Sequence, residues 1–125
     1  MKYALPLVAA LMLIGTALGQ QHKHADKGPK GGLMQDVAGV HAELLTSGSS
    51  LTINIYDEDN KPISTKGFSG SALIAAGGDK ETVKLSPSGE NALKADAKKS
   101  IGSGAVITVT LKTAAGKSGQ AKFNK

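Results

Sequence analysis

Between residues 40 and 123 the apolar side chains recur at every second position, in short runs separated by turn chemistry. That alternation is the mark of half-buried β-strands. Val40, Ala42 and Leu44 alternate with His41, Glu43 and Leu45. Leu51, Ile53 and Ile55 alternate with Thr52, Asn54 and Tyr56 in the cleanest run of the chain. Residues 69–75 and 82–85 read as two further strands. Ala105, Ile107, Val109 and Leu111 then face one way, with Val106, Thr108, Thr110 and Lys112 facing the other, before a last strand at 120–123. Residues 46–50 (TSGSS), 57–61 (DEDNK), 76–79 (AGGD), 86–89 (SPSG) and 114–117 (AAGK) supply the reversals. Pro62 suits an edge or strand-start position. The one helical competitor is 91–100 (NALKADAKKS), which has good helix formers but no apolar stripe and would make a single surface turn. About six to eight short strands at this spacing predict an all-β fold, an antiparallel, immunoglobulin-like β-sandwich over residues 33–125.

The N-terminus follows other rules. Lys2 precedes a 14-residue apolar run, Leu5 to Leu18, and Ala17 and Gly19 place small residues before a cleavage point. This is the layout of a secretory signal peptide over residues 1–19, shorter than the roughly 18 to 20 residues a membrane span needs. The mature chain is expected to be exported and soluble, and residues 20–32 (QQHKHADKGPKGG) read as a flexible His- and Lys-rich lead-in.

Composition narrows the functional classes. The chain has no cysteine, so disulfides, thiol catalysis, zinc-thiolate sites and a lipidated N-terminal cysteine are all excluded. Its 15 basic residues are all lysine, and they divide unevenly: residues 31–93 carry a net −4 and residues 94–125 a net +6. Without arginine there is no bidentate fork for phosphate or guanine. With only Tyr56, Phe68 and Phe123 as aromatics after residue 19, there is no base-stacking platform either. The basic end is better read as a solvated surface or a weak contact for an anionic partner. No Gly-x-Ser-x-Gly elbow surrounds any serine, and GFSGS at 67–71 lacks the lysine and spacing of a phosphate loop, so no enzyme activity is expected.

Five segments taken in order resemble a known family: Gly28-Pro29-Lys30-Gly31-Gly32, His41-Ala42-Glu43-Leu44, residues 56–63 (YDEDNKPI), residues 80–87 (KETVKLSP) and Gly119-Gln120-Ala121-Lys122-Phe123. The family comprises small periplasmic bacterial β domains, mostly of unassigned role, with related stretches in the N-terminal parts of heavy-metal efflux adaptor proteins. The resemblance spans about residues 28–123. It implies a periplasmic location and a partner among efflux or other envelope proteins. Where the family commonly has His or Asn, this chain has Lys30, an ammonium with no lone pair for a metal.

The candidate metal ligands are His22, His24, His41 and Glu43. Period-two geometry puts His41 and Glu43 on one face of their strand. They would hold Cu(II) or Zn(II) if the lead-in folds back with His22 or His24. Alternatively, His41 and Glu43 simply occupy the strand's solvated side. Cleavage after Gly19 would also expose Gln20-Gln21-His22, whose amine, two amides and imidazole suit square-planar Cu(II) or Ni(II). Met34 reads as a packing residue, and the Asp57, Glu58, Asp59 and Asn60 run as a solvated turn without the spaced ligands of a calcium loop. Two functions therefore stand side by side. One is a periplasmic metal-binding accessory module handling copper or zinc alongside heavy-metal efflux. The other is a metal-free periplasmic interaction or structural module.

Overall fold

The computed structural model describes residues 27–125. The expected signal peptide, His22, His24 and the N-terminal copper motif lie outside the described residues. Eight strands follow one another: β1 (Leu33–Val37), β2 (Val40–Ser47), β3 (Ser50–Tyr56), β4 (Ser69–Ala76), β5 (Asp79–Ser88), β6 (Ala92–Asp96), β7 (Val106–Lys112) and β8 (Ser118–Asn124). No helix occurs among the described residues. The expected all-β, antiparallel class is what the chain forms, in the order β1-β2-β3-β6-β5-β4-β7-β8.

That order is one continuous sheet rather than two separate ones, and β5 is the reason. Its first part pairs with β4 as far as Leu85, and Ser86, Pro87 and Ser88 then pair with β6. The strand thus carries the ladder around a bend, and the sheet curls until its ends meet. A Cβ placed on Gly119 of β8 would lie 2.7 Å from the amide nitrogen of Ala38 in the β1–β2 turn. The result is nearly a barrel, and near closure leaves little unpaired edge. Among the described residues β5 has no partner on its β4 side beyond Leu85, and that is the stretch that holds Pro87, opposite Leu93 of β6.

Alternation decides what lies inside. Leu51, Ile53, Ile55, Leu85, Leu93, Ile107, Leu111 and Phe123 are the largest apolar side chains removed from solvent. They come from strands spread around the whole sheet, so one core holds every strand by burial of apolar surface. Three sequence expectations change here. Within residues 91–100, Ala92–Asp96 form β6 and no turn of helix occurs, because Leu93 and Ala95 stand opposite Ile53 and Leu51 and face the core; burial overrides a weak helix propensity. The strand expected at 82–85 runs from Asp79 to Ser88. Residues 33–37, not expected as a strand, form β1.

The lead-in also ends earlier than expected. Lys27 makes an antiparallel bridge to Leu33, and the residues between them form a hairpin. Gly31 N–H donates to the Gly28 carbonyl (2.9 Å) and Gly28 N–H to the Gly32 carbonyl (2.7 Å). Pro29 sets the first turn position, and Gly31 sits at φ +80°, where a side chain would be strained. Residues 57–61 and 113–117 repeat this construction, with Asn60 and Gly116 in the left-handed position.

Candidate functional site

The alternation that buries Ala42 and Leu44 turns Glu43 to the outer side of β2, yet Glu43 has no exposed surface. The 28–32 hairpin covers it. Glu43 Oε2 accepts hydrogen bonds from the backbone N–H of Lys30 (2.8 Å) and of Gly32 (2.9 Å). Its Oε1 accepts one from the hydroxyl of Tyr56 (2.9 Å) on β3. A buried carboxylate is costly unless donors replace its water, and three charge-assisted bonds do so here.

The hairpin glycines are explained by the same contact. A Cβ on Gly28 would stand 2.5 Å from Glu43 Cδ and 2.6 Å from Oε2. One on Gly32 would run into the Leu44 carbonyl oxygen and lie 2.9 Å from Glu43 Cγ. Backbone amides can reach the carboxylate only because both positions lack side chains. Lys30, by contrast, contributes its amide while its side chain is exposed.

Around the carboxylate lies a polar layer on the outer side of β2 and β3. Tyr56 is buried, and burial pushes its hydroxyl up to about 12, helped by the hydrogen bond and the negative charge of Glu43 and opposed by a hydrogen bond with Asn91. Asn54, opposite Glu43 in the β2–β3 register, is buried with its Nδ2 unpaired. Thr65 is buried too, its hydroxyl donating to the Ala92 carbonyl (2.9 Å).

His41 takes different partners. Its Nε2 lies 3.1 Å from Asp36 Oδ1 on β1, in direct cross-strand register, and its Nδ1 lies 3.3 Å from Asn60 Oδ1. The two described candidate ligands therefore share a face but not a constellation. The reading of Glu43 as part of a solvated strand face is corrected, because the hairpin buries it. Among the described residues no group of three or more His, Cys, Asp or Glu is placed to hold a metal. Met34 stands opposite Glu43 in the β1–β2 register, partly buried. The acidic turn is held by Asp57, whose Oδ1 accepts from the amides of Asp59 and Lys61 (both 2.9 Å).

Sequence reasoning missed Tyr56, Gly28 and Gly32 as members of the site. The signal available was the Gly-Pro-x-Gly-Gly segment at 28–32 ahead of an acidic residue alternating with Ala42 and Leu44. Comparison of the chain with protein-family models, with curated proteins and with solved structures finds no match.

Proposed function

We propose that this chain is an exported, metal-free interaction module, a small β domain that offers a rigid surface to another envelope protein rather than a reaction. The observation that supports it is the saturation of Glu43, the one buried carboxylate among the described residues. Its oxygens already meet three donors, which removes it from the ligand set and gives it a fold-anchoring role. The signal-peptide layout of residues 1–19 and the resemblance of residues 28–123 to periplasmic β domains support the location. The bend in β5 supports viewing the two halves of the curled sheet as the facing layers of a sandwich.

A second reading keeps the metal and changes its ligands. His41 and Asp36 form a cross-strand pair at the surface, and the lead-in that carries His22 and His24 joins the fold beside β1 at Lys27. Cu(II) or Zn(II) would then bind His41 with the lead-in imidazoles and without Glu43.

Titration calorimetry with copper, zinc and nickel, on the chain lacking residues 1–19, separates the two. The interaction reading expects no heat and an unchanged melting temperature. Metal at about 100 times its dissociation constant would stabilise the fold by about 2.7 kcal/mol. Such a shift, abolished by His41→Ala, would establish the second reading instead.

A further inference from the structure

The outer faces of the two halves of the sheet differ. Over β2 the outer side is roofed at Glu43 by the hairpin, and Asn54 and Tyr56 of β3 beside it are buried. Over the first part of β5 and over β4, β7 and β8 nothing among the described residues covers it, and its side chains fall in registered rows. Lys84, Ser71, Thr110 and Gln120 form one row, and Thr82, Leu73, Thr108 and Lys122 the next. Leu73 in the middle is 38% exposed, the only large hydrophobic side chain so exposed among the described residues. Lys80, Lys84 and Lys122 lie in its own or the adjoining rows and Lys112 further along the face opposite Ser69, all exposed. No Asp or Glu points outward from these four strands, because Asp79 and Glu81 alternate with Lys80 and Thr82 toward the other side. None of the four lysines makes an ion pair among the described residues.

We infer that this face docks an acidic protein surface with a small apolar centre. The inference rests on the interaction reading above and names the kind of partner. A small apolar centre inside a charged rim is the anatomy of a protein interface. A rim of one sign selects a partner of the other and excludes cations and basic surfaces by repulsion. A nucleic acid is disfavoured by the absence of arginine and of any aromatic side chain on the face. A second copy of this chain would have to offer its 57–59 turn, which carries three carboxylates but no apolar centre to meet Leu73.

The test places a photoreactive residue at Ser71 or Thr108 in the full chain, expressed in its own cell, with Ser64 and Ser103 as positions off the face. The expected result is an adduct from Ser71 and Thr108 with a different protein, cross-linked within a stretch where Asp and Glu outnumber Lys and Arg. Leu73→Asp, and Lys84→Glu combined with Lys122→Glu, each lower its yield at least about tenfold with unchanged melting temperature. The Lys61→Glu and Lys66→Glu variants, off the face, leave it unchanged. No adduct, an adduct only with a second copy or with a polysaccharide, or an adduct indifferent to the reversals overturns the proposal. If partner adducts form only from Ser64 or Ser103, this face falls while the interaction reading stands. Silence at all four positions together with metal-induced stabilisation removes that reading as well.

Discussion

Glu43 places a carboxyl group where no surface is exposed, and among the described residues its hydrogen-bond donors are two backbone amides and one phenol. Removing the carboxylate leaves those donors facing an apolar methyl group. Glu43→Ala is therefore expected to lower unfolding stability by about 3 kcal/mol, read from urea denaturation; a change below about 0.5 kcal/mol, the range of inert surface substitutions, would contradict the assignment. Tyr56 gives a second handle, through pH. Its folded value, about 12, lies above the ordinary 10.0, so the unfolded chain loses the phenolic proton first as pH rises. The stabilisation is complete below pH 10 and disappears as pH climbs from 10 through about 12. Wild type should therefore lose stability across that window more steeply than Tyr56→Phe, in which this proton is absent; parallel curves would contradict the contact. His41 and Glu43 were legible as a same-face pair from alternation alone. That one is buried and the other half-exposed was not, because the hairpin covering Glu43 comes from residues that look like a floppy leader.

At the scale of elements, the 28–32 hairpin is built by two different demands on glycine. Gly31 needs the left-handed backbone, whereas Gly32 needs the room taken by a Cβ. Gly32→Ala should cost about 2 to 3 kcal/mol, because the obstacle is the backbone carbonyl of Leu44 and cannot rotate away. Lys30→His should stay within about 0.5 kcal/mol, since only the amide of that position is used. Thermal or chemical unfolding of the two variants checks both; equal losses would mean that the Lys30 side chain also holds the turn. The longer strands were readable because alternation and turn residues agreed. β1 was not, because its reversal into β2 uses Ala38-Gly39, with Ala38 at φ 52°, in place of the Asn-Gly that usually announces such a turn. β6 hid behind residues that favour helix until Leu93 and Ala95 found the core.

The whole molecule is a single curled ladder whose distant parts must meet: β3 with β6, β4 with β7, and the β1–β2 turn with Gly119. Pairings so far apart in sequence make loop closure the slow step, so refolding should take on the order of milliseconds to seconds; stopped-flow refolding complete within microseconds would contradict this topology. Alternation and turn spacing foretold the class, but not that β5 would join the two halves, since nothing local marks a strand that changes partners midway. The same curl leaves one outer face roofed at Glu43 by the hairpin and the other uncovered among the described residues, and the roof depends on Glu43. Amide hydrogen exchange at Lys30 and Gly32 tests that dependence most directly. Both amides should exchange as slowly as those of β2 and β3 in the wild type, and at least about tenfold faster in Glu43→Gln, where the charge assistance is gone. Fast exchange at these two amides in the unaltered protein would mean that the carboxylate does not hold the hairpin.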